Sequence, residues 1–530
     1  MVDLLKVILL LFVSYTNGQV QDRYYPRYHL APPFGWMNDP NGFCVFNNEI
    51  HLFYQHNPDS GVECGTAQWG HAKSKDFFHW EHQPIAMRND KPYDSCGVFS
   101  GSALVEDNTM YVFYTGNKKY AGKSPDHQNR QALAWSTDGV TFTKYANNPI
   151  ITGYIDTPDV RDPKVWEHEG TYYMVLGSSL NDHQTRKNTG SILLYSSNDK
   201  FSWNYVSVLA QANGTFGFMW ECPDLFELDG KYVLLFSPQG VEASGDRYQN
   251  LFQTGYLIGD FDYSTLKFTP TSEFVELDNG HDFYATQTTL DNFGRRIVVG
   301  WFDMWDRNYP EGKDGFTGTM TIPRELRLLN GKLVQIPIAE VSSIRGRQVS
   351  TINGYYVLSD KAGEVNVLAD GYRNFQLCIE SENVKVTISY DAANGKLTLD
   401  RGGPDSIRRT DWRPRGQLKW RIFVDASSIE LFCGEGEVTF SSRFFPEGAV
   451  VISERGAAVV TVNEILRTMP RPLETKHSDA SAESKPLLHE SQDILPQHSE
   501  QPLLHESQDI LPQHSELVKA EASASASTFF

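Results

Sequence analysis

Along this chain the alternation of apolar and polar positions produces one short pattern five times: a polar turn, then a strand of aromatic and β-branched residues. The five segments are Asn47-Asn-Glu-Ile-His-Leu-Phe-Tyr54, Asp107-Asn-Thr-Met-Tyr-Val-Phe-Tyr114, Glu169-Gly-Thr-Tyr-Tyr-Met-Val-Leu176, Asp229-Gly-Lys-Tyr-Val-Leu-Leu-Phe236 and Phe293-Gly-Arg-Arg-Ile-Val-Val-Gly300. Each turn carries Asn or Gly, residues that accept the positive φ of a two-residue hairpin loop. Asn48, Asn108, Gly170, Gly230 and Gly294 therefore mark a beat of about sixty residues. A second marker keeps nearly the same beat: Ser74-Lys-Asp76, Ser136-Thr-Asp138, Ser197-Asn-Asp199 and Ile258-Gly-Asp260. No long stretch of helical period lies between these strands. The beat predicts an all-β fold, a five-bladed β-propeller over about residues 25–335.

From about Arg345 the beat stops and short alternating strands continue to about Arg471, among them Trp420-Arg-Ile-Phe-Val-Asp-Ala-Ser-Ser-Ile-Glu-Leu-Phe432. These predict a second all-β domain over residues 345–471. Beyond it, Pro486 to Glu500 is repeated unchanged from Pro502 to Glu516, and residues 476–530 read as a low-complexity, disordered tail.

Composition narrows the function. A net charge of −19 argues against nucleic-acid partners, whose phosphates require basic surfaces. The apolar run Val7 to Val13 within residues 1–18 resembles a secretory signal peptide and is too short to span a bilayer, so the expectation is a secreted, extracellular protein with no membrane partner. The sequon Asn213-Gly-Thr215 fits export. Six cysteines leave Cys64–Cys96 and Cys378–Cys433 open as pairs without fixing either. Neither cysteines nor histidines fall at metal-ligand spacing, so neither metal nor cofactor is expected.

The inner strands of a propeller open onto its axis, so chemistry should recur at one position of the repeat. Eight or nine residues before the turn marker stand Asp39 in Trp36-Met-Asn-Asp-Pro-Asn-Gly42, Phe99-Ser100, Arg161-Asp162-Pro163 and Trp220-Glu221-Cys222-Pro223. In the fifth repeat the candidate position, Asp282-Phe-Tyr284, stands about twelve before, where the phase is looser. Alone, each motif is a turn or a surface ion pair. Together, three in-phase carboxylates with aromatics make an enzyme-like constellation of the kind that hydrolyses a glycosidic bond, where one carboxyl is the nucleophile and another the acid, then base. The Asn38 amide would keep Asp39 ionised, burial would keep Glu221 protonated, and Asp162, held by Arg161, would bond sugar hydroxyls. Trp36, Trp69, Phe99 and Trp301 are candidates to pack against a sugar, and Asn38, Gln55 and Ser100 to bond its hydroxyls.

At these motifs, and at Asp282-Phe-Tyr-Ala285, Ile422-Phe-Val-Asp-Ala-Ser-Ser428 and Ser442-Arg-Phe-Phe-Pro446, the sequence resembles glycoside hydrolase family 32, the invertases, inulinases and levanases. The resemblance runs from about Tyr25 to Arg471; Ala426 departs from it, standing where a basic residue is common. It implies a propeller joined to a β-sandwich and retaining cleavage of terminal, non-reducing β-D-fructofuranosyl residues. It implies Asp39 as nucleophile, Glu221 as acid and base, and Asp162 as stabiliser of the transition state. Sugar-binding roles carry over to Asn38, Gln55, Trp69, Phe99, Ser100, Arg161 and Trp301. Sucrose is the expected substrate; an exo-inulinase or levanase, or a non-hydrolytic fructan-binding protein on the same scaffold, remain alternatives.

Overall fold

The computed structural model describes residues 21–151, 157–182, 187–212 and 216–471; the N-terminal apolar run, the sequon and the duplicated tail lie outside these. Residues Gly35 to Pro337 form five sheets, antiparallel but for the short parallel pairing of Gly35-Trp36 with Phe316-Thr317, each opening with an inner strand: Gly35–Phe46, Gly97–Glu106, Val160–His168, Met219–Leu228 and Tyr284–Leu290. Each inner strand packs beside the inner strands of the neighbouring sheets, and the fifth packs against the first, which closes a five-bladed propeller. The two-residue turns appear as the sequence predicts in blades one to four, with positive φ at both residues of Asn47-Asn48, Asp107-Asn108, Glu169-Gly170 and Asp229-Gly230. Blade five differs. Its turn is a wider loop closed by Asp291, whose N–H donates to the Arg295 carbonyl, so the extra residues account for the looser phase.

The second marker is an Asx turn. Asp76, Asp138 and Asp199 each accept two backbone N–H bonds from the residues two and three further on, and each is also bonded by the Ser hydroxyl two residues earlier. In blade four the equivalent carboxylate is Asp262, not Asp260: Asp262 accepts from Ser264 and Thr265, while Asp260 pairs with Lys231.

Residues Arg345 to Ile465 build two six-stranded antiparallel sheets. They face each other across a core that includes Val365, Leu377, Ile388, Trp420 and Leu431, giving the β-sandwich. All six cysteines are free thiols, and neither pair left open by the sequence forms.

Buried ion pairs join sandwich to propeller. Arg324 bridges Asp278 and Glu430, and Arg443 pairs with Asp303 and Glu311. His29, fully buried, has Nδ1 2.7 Å from Asp425 and Nε2 2.8 Å from Glu430. Burial works against its charged form, but the two carboxylates outweigh it and hold its pKa up to about 9. A folded pKa above the unfolded value gives stability that is complete below about pH 6.5 and lost as pH rises through about 9. The loss is on the order of 3 kcal/mol. The melting temperature should therefore fall across that window, and His29→Asn should be less stable overall and lack the fall. A wild-type profile flat to pH 10 would count against this role.

Candidate active site

All five inner strands carry a β-bulge at the same height, and the bulged residues converge on the axis. The register slips at Asn38-Asp39, Ser100, Asp162-Pro163, Cys222-Pro223 and Ala285. A bulge adds one unpaired residue and re-aims its side chain, which turns alternating strand positions toward a common centre. Asp162, Cys222 and Ala285 have φ of 65°, 50° and 50°. Such left-handed backbone at non-glycine residues costs on the order of 1–3 kcal/mol each and persists because ladder pairing on both sides fixes it.

Asp39 is buried. Its Oδ1 accepts the Asn38 amide at 3.0 Å and its Oδ2 the Ser100 hydroxyl at 2.8 Å, while Trp36 Nε1 orients Asn38 through its Oδ1 at 2.9 Å. Burial, then the Glu221 carboxylate, pushes the Asp39 pKa up; the Asn38 and Ser100 donors pull it down, as the sequence suggested, but do not prevail. Asp162 is also buried. Its own N–H donates to Thr115 Oγ1 and its Oδ2 accepts the Cys222 N–H, both at 3.0 Å. Its pKa is raised by burial and by Glu221, with Arg161 opposing. The Cys222 thiol lies 3.7 Å from Oδ2 of both Asp39 and Asp162, so one sulfur separates the two aspartates.

Glu221 is the most accessible of the three, its side chain 13 % exposed against 8 % for Asp39 and 4 % for Asp162 as whole residues. The structure corrects the expected partner of Arg161 here. Its guanidinium grips Glu221 Oε1, with Nε at 2.8 Å and Nη2 at 2.7 Å, and makes no hydrogen bond to the Asp162 side chain among the described residues. Its other arm reaches Asp159 at 3.2 Å, and Asp159 in turn meets His127 Nε2 at 3.1 Å. Glu221 Oε2 accepts the Tyr284 hydroxyl at 2.6 Å. Burial and Glu221 raise the phenol's pKa well above its usual value, so Tyr284 remains a donor.

The aromatic candidates divide. Trp36 and Phe99 are partly exposed, whereas Trp69 and Trp301 are fully buried and back the site from behind. Trp69 donates to the Phe99 carbonyl at 3.0 Å; Trp301 packs on Trp305 at 4.7 Å. The Gln55 amide is spent on the Val98 carbonyl at 2.9 Å, tying blade one to blade two. Asp282 is fully buried and bonds Tyr309, Arg401 and the Arg443 N–H, a joint to the sandwich, so the fifth blade presents Tyr284 to the centre instead of a carboxylate.

Sequence reasoning missed Trp305, stacked on Trp36 at 6.4 Å and 18°, and Phe252, edge-on to Tyr284 at 5.8 Å. With Trp36 they form one aromatic wall beside the carboxylates. Neither lies on an inner strand, so the repeat carried no signal for them. Among the described residues no group of three or more His, Cys, Asp or Glu is arranged to hold a metal ion. What the centre offers is two buried carboxylates, one accessible carboxylate clamped by an arginine and a phenol, and a partly exposed aromatic wall. Tyr284→Phe, which removes the hydrogen bond that holds Glu221 Oε2, should lower kcat by about tenfold with KM little changed. An unchanged kcat would show that Arg161 alone positions Glu221.

The family model for the glycosyl hydrolases family 32 N-terminal domain matches residues 29–337, and that for the family 32 C-terminal domain matches residues 345–465. A sucrose-6-phosphate hydrolase of Escherichia coli is 40% identical over 443 residues, covering 80% of this chain and 90% of that protein. A raffinose invertase of Escherichia coli is 37% identical over 439 residues, with the same coverage. Among solved structures, a mutant GH32 β-fructofuranosidase of Bombyx mori in complex with sucrose is 40% identical, with a TM-score of 0.79 over 85% of this chain and 96% of that one. An exo-inulinase of Aspergillus awamori is 26% identical, with a TM-score of 0.71 over 86% and 100%.

Proposed function

This chain belongs to glycosyl hydrolase family 32 and is a β-fructofuranosidase, and we propose that it hydrolyses sucrose with retention of configuration, Asp39 acting as nucleophile and Glu221 as acid and base. The observation that carries this reading is the unequal environment of the two carboxylates. Asp39 is enclosed and held by two donors, whereas Glu221 stands at the opening, clamped so that it can serve a leaving group. Asp39 attacks the anomeric carbon of the fructosyl unit while Glu221 delivers its proton to the glycosidic oxygen, releasing glucose. Glu221, now ionised, takes a proton from water, and the resulting hydroxide breaks the fructosyl–Asp39 ester, returning fructose and the free carboxylate. Asp162, held by the Cys222 N–H, accepts hydroxyl hydrogens of the fructosyl ring and so favours the positive charge that develops on it.

Sucrose is favoured over longer fructans by the similarity to a sucrose-bound relative at 40% identity, against 26% for the exo-inulinase. The test is kcat/KM on sucrose and on inulin. Sucrose should exceed inulin by about tenfold or more, a difference of about 1.4 kcal/mol in transition-state binding; the reverse order would overturn the choice of substrate and leave the catalytic assignment standing. Export is supported by the apolar run near the N-terminus, and recovery of the enzyme from the medium of a secreting host tests it.

A further inference from the structure

The outer face of the second sandwich sheet is hollow, enclosing about 770 Å³. Across its floor the strand register lines up one transverse row, Arg455–Gln376–Ser389–Thr398–Arg409, on five adjacent strands. Beneath this row, Leu377, Ile388 and Leu399 point into the sandwich core, so the row is the outward half of the alternation and stands on a rigid sheet. The Gln376, Ser389 and Thr398 side chains are partly exposed and make no hydrogen bond among the described residues.

The charges around the row are nearly balanced. Lys396 is paired with Asp246 at 2.8 Å and Asp411 at 2.7 Å, Arg409 lies 3.7 Å from Asp246, and Asp391 faces the same hollow. Arg455 and Asp391, of opposite charge, have no ion-pair partner among the described residues. A face of neutral donors and acceptors with little net charge suits an uncharged, hydroxyl-rich ligand and gives a phosphate or an acidic peptide little to hold.

Position ties the hollow to the catalytic centre. Its edge is closed by the propeller loop that carries Asp246, and Gln249 of that loop exchanges hydrogen bonds with the Arg409 backbone. Six residues beyond Asp246 the same loop supplies Phe252 to the aromatic wall against Tyr284. Six residues span no more than about 22 Å even when fully extended. A sugar chain of several units laid in the hollow is therefore within reach of the centre.

We infer that this hollow is a second carbohydrate site, which takes the fructosyl chain of an oligomeric or polymeric substrate and keeps it beside the active site. The inference rests on the β-fructofuranosidase reading. It implies that longer fructans are secondary substrates whose affinity the sandwich raises.

The test replaces the row in the full chain with Gln376→Ala, Ser389→Ala and Thr398→Val together, and reads KM separately for sucrose and inulin. The expected result is a rise of about fivefold in KM for inulin, the size of one or two lost hydrogen bonds, with kcat and KM for sucrose unchanged. Titration of a fructan pentasaccharide into Asp39→Asn should show two sites, and one site when the row is also replaced. Equal KM for inulin in both enzymes, or the same number of sites in both titrations, overturns the inference. If the wild type cleaves neither sugar, the catalytic reading fails, while the titration still decides whether the hollow binds.

Discussion

Asp39→Asn should lower sucrose turnover by about four orders of magnitude or more, because the change removes the one oxygen nucleophile that can form the fructosyl ester. The substitution is nearly isosteric, and the surroundings can absorb it. Ser100 donates to Asp39 Oδ2 at 2.8 Å, and a hydroxyl can rotate to accept from an amide instead; Asn38 keeps its bond to the remaining oxygen. Removing one carboxylate from a buried cluster also relieves the repulsion from Glu221 that contributes to the raised Asp39 pKa. The folded state should therefore survive, with a melting temperature equal to or above that of the wild type. Glucose release measured beside a thermal melt separates loss of chemistry from loss of fold. Turnover within tenfold of wild type in a folded variant would remove Asp39 from the mechanism.

Glu221→Gln should cost about three orders of magnitude on sucrose, the upper part of the range for general acid catalysis. The defect should shrink with leaving-group quality, since an aryl β-fructofuranoside departs with little help from a proton. With such a substrate the first step proceeds, the fructosyl–Asp39 ester accumulates because no base activates water, and added azide should restore turnover by attacking the ester directly, forming a β-fructosyl azide. The geometry sharpens the expectation. Glutamine can still accept the Arg161 bond on Oε1, but its amide nitrogen meets the Tyr284 hydroxyl, which must turn to accept, as it can toward a neutral neighbour. Equal losses on sucrose and on the aryl substrate, with no azide effect, would mean that Glu221 positions groups and transfers no proton.

The architecture was legible because a propeller repeats its grammar. Four of five hairpin turns require positive φ at two successive residues, and Asn, Asp or Gly at seven of those eight places, Glu169 being the exception, announced them. Asp39, Asp162 and Glu221 were legible through their shared phase, since equivalent blade positions meet on the axis whatever the intervening loops do. The bulges that aim them were not, because a register slip depends on both strands and leaves no mark in either alone. Arg161 was attached to its sequence neighbour Asp162, but on a strand adjacent side chains diverge; it reaches Glu221 in the next blade. Trp69 and Trp301 look like sugar platforms in the sequence, but burial of an aromatic depends on what the next blade packs against it. Phe252 and Trp305 lie on the loops that join the second and third strands of blades four and five, away from the turn markers and inner strands that carry the repeat. Asp282 resembles a catalytic residue until Arg401 and the Arg443 N–H, more than a hundred residues on, claim it for the joint to the sandwich.

The central claim, double displacement at a β-fructofuranoside through Asp39, is tested most directly by time-resolved NMR of the enzyme acting on sucrose. The account predicts equimolar glucose and fructose, with fructose first appearing as the β-furanose and only later equilibrating by mutarotation. Fructose released first as the α-anomer would contradict the claim, since it would require a single displacement by water and leave Asp39 without a covalent role.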